Sequence, residues 1–469
     1  MTFSSVTFLY FFLPAVLAIY YIVPARLKNA VLLLSSLLFY FWGEPRFAVI
    51  MVLTALVGYA GGMLLSKVEK HHWRRVVVVL FVTLCLIPLL LFKYGDFFIH
   101  NMRELFKLQL PHLSLALPMG VSFYTFQIVS YVIDVYRQTV DVERNPFLFV
   151  MYVSFFPQLI AGPIVRFSDV QVFLRKRITS IDQFAAGVLR FVTGLGKKVL
   201  IANTLAEFGK ELTSTPAKSV LSLWLIAFAF TLQIYFDFSG YSDMAIGLGS
   251  MFGFTFPENF HYPYLSKSVS EFWRRWHISL GFWFRDYVYI PLGGNRGKRL
   301  SRVRNLLIVW LLTGLWHGAA WNFIAWGLFY FTVLSIERAG FSKILDKMPS
   351  VLRVVYTFLI VMLGFVLFNA DSLGEALIRL KGMFGLSSLP FTDHVSLYYA
   401  RSYGFTLIFA AVAATSLFKT LWKRLSERSS KSTKYVLDYT TVFGVVTTMT
   451  LVTAWLVNGS FNPFLYFRF

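Results

Sequence analysis

The sequence predicts an all-α polytopic membrane protein, and three observations lead there. Apolar runs recur along nearly the whole chain, with 57% hydrophobic and 14% charged residues, a balance unlike that of a soluble enzyme with one anchor. The 44 Lys and Arg outnumber the 23 Asp and Glu, for a formal charge of +21, and they cluster at 26–28, 67–75, 166–177, 267–304 and 419–434, between the apolar runs. Positive residues collect this way in cytoplasmic loops. Because the charge edges the runs and no soluble segment carries it, it implies contact with membrane lipid and argues against nucleic acid. The third observation is a set of polar residues inside the apolar runs, which maps an interior.

Runs of spanning or near-spanning length fall at 6–23, 30–42, 47–66, 76–92, 116–136, 147–165, 184–204, 219–236, 304–334, 351–369, 402–420 and 436–457, for about eleven spans. The first is read as a retained span, because Met1-Thr-Phe-Ser-Ser has no basic residue and Pro24-Ala-Arg-Leu-Lys follows it in place of a cleavage site. The run 30–42 is short for a span, and 304–334 is long enough to tilt or break. Pro157 and Gly162-Pro163 interrupt another run, and the backbone groups they release should be paired inside protein. Cys85, alone of its kind, excludes an internal disulfide and a thiol-ligated metal cluster. No period of 20–50 residues and no linker appears, so residues 1–469 are read as one membrane domain.

Within 118–137, Gln127, Ser130 and Asp134 recur at three- and four-residue spacing and share a helix face that should look inward. Helix-to-helix hydrogen bonding is the structural alternative to a site. Gln233, Asp237 and Tyr241 are spaced by four, with Ser239-Gly240 offering a helix break. A buried Asp237 needs a cation or several donors, either to orient a basic partner or to lock two helices.

In 271–287, Trp273, Trp276, Leu280, Trp283, Phe284 and Tyr287 recur every three or four residues. This predicts a helix bearing His277, with an aromatic face flanked by arginines, lying in the membrane interface. Gly-Gly-Asn295-Arg296-Gly follows Pro291, with basic residues through Arg304. Gly-rich backbone beside Arg and Lys suits phosphate groups. Arg274, Arg275, Arg285, Asn295 and Arg296 are the candidates for holding a nucleotide-containing acyl donor, with solvated cytoplasmic charge as the alternative.

His317 is the sole histidine within a spanning apolar run, and an ionisable group at that depth is a functional-site candidate. Its helical neighbours Thr313, Gly314, Ala320 and Trp321 supply no further ligand, so no metal is expected. Gly314, Gly318, Ala319 and Ala320 leave room around the imidazole, which fits general-base work on a hydroxyl. The chain has no Gly-X-Ser-X-Gly elbow, so the hydroxyl must come from elsewhere. A histidine that only bridges helices is the alternative.

The run Phe-Trp-Arg-Arg-Trp-His277-Ile-Ser-Leu-Gly-Phe-Trp-Phe-Arg-Asp-Tyr, then Tyr-Ile-Pro-Leu-Gly-Gly-Asn-Arg and Leu-Leu-Thr-Gly-Leu-Trp-His317-Gly, resembles the signature of membrane-bound O-acyltransferases. Further stretches resemble the bacterial alginate O-acetyltransferase branch: Leu38-Phe-Tyr-Phe-Trp-Gly-Glu-Pro, Gly120-Val-Ser-Phe-Tyr-Thr-Phe-Gln, Phe156-Pro-Gln-Leu-Ile-Ala-Gly-Pro-Ile, Phe236-Asp-Phe-Ser-Gly-Tyr-Ser-Asp-Met-Ala and Asn462-Pro-Phe-Leu-Tyr-Phe.

The resemblance implies a ring of about eleven helices with re-entrant and interfacial segments around a tunnel. Gln127, Asp237, Tyr241, Thr313 and Trp316 would line that tunnel. It implies His317 as the catalytic base and His277 as the second catalytic position, orienting the donor or stabilising an oxyanion. An acyl-histidine intermediate is a variant. The donor would be acetyl-CoA, a substrate with no bound cofactor beside it. The acceptor would be a hydroxyl of a cell-surface or exported polysaccharide, such as alginate or peptidoglycan, outside a bacterial cytoplasmic membrane. As the sequence has no Gly-Asp-Ser esterase block, the resemblance implies a separate SGNH-type partner. The alternatives are a D-alanyl transfer protein of teichoic-acid modification and, from another class, a secondary transporter.

Overall fold

In the computed structural model, which describes residues 1–216 and 218–459, the chain is helical with no strand among those residues. The sequence motif at 462–467 lies outside the described residues. Among the described residues five helices are long and apolar enough to cross a bilayer: Pro45–Lys67, His71–Phe106, Val220–Met251, Ser350–Asn369 and Thr433–Asn458. A sixth crossing arises if Gly404–Ala413 and Leu417–Glu427, bent by 59°, form one broken span. The first apolar run folds as the shorter helix Phe8–Ile22, and the short run at 30–42 as Lys28–Gly43.

One compact unit comprises Met1–Phe191, Met244–Pro257 and Arg285–Tyr287. Helix α1 (Val121–Arg137) buries nearly every residue, including Gln127, Ser130 and Asp134. Its polar face makes contacts within the protein: the Ser130 hydroxyl donates to the Gln127 carbonyl at 2.8 Å, and the Tyr287 hydroxyl donates to Asp134 Oδ2 at 2.7 Å. Arg166 joins Asp169 at 3.3 Å and Asp286 at 3.0 Å, and Arg137 donates to the Asp286 carbonyl at 3.1 Å. The proline-interrupted run breaks as expected, into Pro146–Ser154, the single turn Phe156–Leu159 and an irregular buried stretch. Freed carbonyls are satisfied inside protein, since Tyr152 Oη donates to Val165 O at 3.0 Å and Gln158 Nε2 to Tyr152 O at 2.6 Å.

The other unit comprises Val192–Asp243, Glu258–Phe284 and Val288–Phe469. Helix α2 (Val220–Met251) runs unbroken through Ser239-Gly240, so the expected break is absent. Gly240 serves close packing instead, because a Cβ there would stand 2.7 Å from the Gly194 carbonyl oxygen. The cation that Asp237 requires is Lys198, whose Nζ lies 2.7 Å from Asp237 Oδ1 with both side chains 3% exposed. Lys198 also donates to Asn203 Oδ1 at 2.8 Å, and neighbouring Lys197 pairs with Asp243 at 2.6 Å. Both lysines project from a π-turn at Lys197–Ala202, which widens the helical ladder just where they must reach α2.

Removing one member of a buried pair leaves an uncompensated charge, at a cost of about 3–5 kcal/mol. Thermal unfolding in detergent should therefore show Lys198→Met less stable than the double variant Lys198→Met/Asp237→Leu. Equal unfolding temperatures would contradict this account of the pair.

Candidate active site

The apolar run 304–334 breaks immediately after His317. Helix α3 (Arg299–His317) ends there, Gly318 and Ala320 are extended, and helix α4 (Trp321–Ile336) returns alongside. Two close contacts lock the hairpin: a methyl on Gly314 would strike the Phe323 carbonyl, and one on Gly327 the Trp310 carbonyl. The space beside Gly318 is filled by the Phe323 ring. Gly314 and Gly318 thus serve packing, which corrects the expectation that these two glycines leave room for a substrate.

His317 is 6% exposed and sits in an aromatic shell, with ring centroids 4.9 Å from Trp316, 5.0 Å from Trp326 and 5.1 Å from Phe368. Behind it, Trp273 meets Trp310 at 4.8 Å, Trp326 at 5.5 Å and Tyr330 at 4.8 Å. Thr313, one turn earlier, donates to the Val309 carbonyl at 2.7 Å.

The expected helix through His277 is interrupted at that residue. Helix α5 (Val269–Arg275) stops, Trp276 is extended and bridges Phe260, His277 takes φ +45°, and a new helix starts at Ile278–Phe284. A left-handed non-glycine residue costs about 1–3 kcal/mol and persists only where its surroundings over-determine it. Asn259 does so: its carbonyl accepts from Ile278 N–H at 3.0 Å, and its Oδ1 accepts from Ser279 N–H at 3.3 Å and Ser279 Oγ–H at 2.9 Å. Trp276, Leu280, Trp283, Phe284 and Tyr287 are buried, so the aromatic face packs against protein.

The same Oδ1 lies 3.1 Å from His277 Nδ1. Fixed as an acceptor by the Ser279 amide, it requires Nδ1 to carry the ring proton. Burial pushes the His277 imidazole below the ordinary histidine range, so the ring is neutral and Nε2 holds a lone pair. That Nε2, with Trp273 Nε1, Trp326 Nε1 and Tyr330 Oη, is buried and unpaired among the described residues. Trp316 joins the two histidines, edge-on to His277 at 5.8 Å and adjacent to His317, while Phe238 of α2 covers His277 at 4.7 Å.

The structure therefore brings His277, His317 and Trp316 together. Asp237 and Tyr241 are buried on α2, one residue before and three after Phe238. Gln127 is buried within α1, its amide unpaired among the described residues. Of the donor candidates, Arg274 and Arg296 are exposed, and Asn295 Oδ1 accepts from Tyr289 Oη at 2.6 Å. Arg275 is paired with Glu271 at 2.6 Å and Arg285 with Asp286 at 2.7 Å. Asn305, buried, pins the glycine loop by donating to Leu292 O at 3.1 Å and Gly294 O at 3.2 Å. Among the described residues no three His, Cys, Asp or Glu side chains gather to hold a metal ion. Sequence reading missed Asn259, whose partners lie eighteen to twenty positions away, and Asn305, whose amide donates to main-chain carbonyls that leave no side-chain pattern.

Two buried histidines thus share one indole, His317 at a helix break and His277 at a left-handed turn. Residues 144–346, which hold both histidines and the glycine loop, match the membrane-bound O-acyltransferase family model. The chain is 43% identical over 404 residues to the probable alginate O-acetylase AlgI of Azotobacter vinelandii, covering 84% of this chain and 80% of that protein. It is 36% identical over 423 residues to the peptidoglycan O-acetyltransferase of Helicobacter pylori, covering 82% and 80%. The teichoic acid D-alanyltransferase of Bacillus subtilis is more distant, 29% identical over 303 residues, covering 61% and 75%. The chain belongs to the membrane-bound O-acyltransferase family. It is a multi-pass membrane enzyme, which decides against the transporter alternative.

If Asn259 orients His277, Asn259→Ala should lower acyl transfer roughly ten- to a hundred-fold without loss of fold. Asn259→Asp keeps the acceptor but sets a carboxylate against Nδ1, which raises the proton affinity of the imidazole. The acid limb of its pH–rate profile should then move to higher pH than in the native enzyme. An unmoved limb and a native rate in Asn259→Ala would remove Asn259 from the site.

Proposed function

We propose that this enzyme is the transmembrane part of an O-acetylation system for a cell-surface or exported polysaccharide, acting as one membrane domain in a bacterial cytoplasmic membrane. Acetyl-CoA supplies the acetyl group from the cytoplasm, and a separate SGNH-type protein outside receives it for delivery to the polymer. In this reading Asp237, Tyr241, Thr313 and Trp316 line the path that leads to the two histidines. The observation that carries the reading is the pair of buried histidines meeting on Trp316, in a chain similar to an alginate O-acetylase over most of its length.

In the reaction, His317 takes the proton of the acceptor hydroxyl as its oxygen attacks the thioester carbonyl. The tetrahedral intermediate collapses, the carbon–sulfur bond breaks, and the proton leaves with the CoA thiol. His277, with its lone pair at Nε2, accepts a hydrogen bond and orients a reacting group, a role its tautomer favours over oxyanion stabilisation. Donors for the carbonyl oxygen are the buried N–H of Trp326, against His317, and that of Trp273. Arg274, Arg275, Asn295 and Arg296 stand as the donor-side residues, where guanidinium groups would meet the CoA phosphates.

Loss of a general base costs roughly 10²–10⁴ in rate, so cells carrying His317→Ala should yield surface polysaccharide depleted of base-labile acetate. Native acetate content with normally folded His317→Ala protein would refute the assignment. Loss of ester-linked D-alanine in its place would transfer the enzyme to the other branch.

A further inference from the structure

A cavity of about 490 Å³ opens in the unit that holds the histidines, and none of the residues assigned to acyl transfer lines it. Its deep wall is apolar, made by Ala227 and Phe230 of α2, by Phe365 and Val366 of helix α6 (Ser350–Asn369), and by Met383. Phe230 lies ten residues into α2, about 15 Å from the helix start. The polar groups gather at the other end. Lys218 precedes α2, Asn369 closes α6, and Glu375 and Arg379 lie on the helix Leu373–Met383. A cavity of this size with a charged mouth and an apolar floor suits an amphiphile.

The mouth favours a phosphate. Burial first, and then the nearby Arg379 charge, lower the proton affinity of Lys218, so two cations converge there, with Asp393 acting in the opposite sense. Lys218 Nζ donates to the carbonyls of Leu212 at 3.0 Å and Thr213 at 2.6 Å, which leaves its third N–H. Glu375 Oε1 takes one Arg379 nitrogen at 2.6 Å, and the rest of the guanidinium fork remains as donor. Ser387 and Ser388 add hydroxyls at the same rim.

We propose that this cavity binds a phospholipid, one acyl chain lying against Phe230 and Phe365 and the phosphate held between Lys218 and Arg379. The site stands apart from the acyl-transfer reading, and phospholipid is the amphiphile that surrounds a multi-pass membrane protein. It also abuts the catalytic shell: Phe365 lies 5.4 Å from Trp276 and 6.4 Å from Phe368, which covers His317.

The test uses full-length protein, purified in mild detergent, washed free of loosely held lipid, and examined by native mass spectrometry with extraction of what it retains. The native chain should hold a phospholipid. Ala227→Trp, which fills the cavity, and Lys218→Gln/Arg379→Gln, which leaves it open, should each lower retention about ten-fold on loss of packing or of charge-assisted bonds. The charge variant decides the matter if the tryptophan variant does not fold. Native retention in the folded charge variant, or recovery of a fatty acid or a polypeptide in place of phospholipid, would overturn the proposal.

Discussion

The backbone-to-backbone approach at Gly314 and Gly327 fixes the register of α3 against α4, and the site around His317 follows from it. With a glycine against a facing carbonyl at both positions, the hairpin has little freedom to slide, and the helix ends at His317. The imidazole is thereby placed among Trp316, Trp326 and Phe368. Packing of this kind, small residues letting helices approach, is what a bilayer leaves available once the hydrophobic effect no longer distinguishes helix from lipid.

His277 is held by the opposite device. Its backbone is strained, and the strain is sustained by Asn259, which ties three donors from 277–279 to one side chain and so also sets the tautomer. The ion pair Lys198–Asp237 sits one residue from Phe238, which covers His277. Buried charge, strained backbone and unpaired indole N–H groups all lie in the unit with the histidines. Local rules are expected to fail at a functional site.

Much of this was legible in the sequence where the physics is local. The length of 304–334 announced a break, and the depth of His317 marked it as a candidate. Prolines 157 and 163 announced a buried irregular stretch, and Asp237 announced a cation. What stayed hidden depends on distant or main-chain partners. Nothing in the spacing separates the aromatic residues of 273–287 from one continuous helix, because the turn at His277 is imposed by Asn259, eighteen positions earlier. Gly240 reads as a breaker in isolation and becomes a packing residue only when Gly194 lies against it. Lys198 falls inside the apolar run 184–204, where nothing in the spacing names its partner until the π-turn directs it toward Asp237.

The central claim is that His277 and His317, joined through Trp316, work as one unit in acyl transfer. Single-turnover acetyl transfer by purified full-length enzyme, measured for His277→Ala, His317→Ala and the double variant, tests it most directly. Residues that act as a unit are non-additive, so the double variant should be no slower than the slower single variant. A double loss equal to the product of the two single losses would contradict the account.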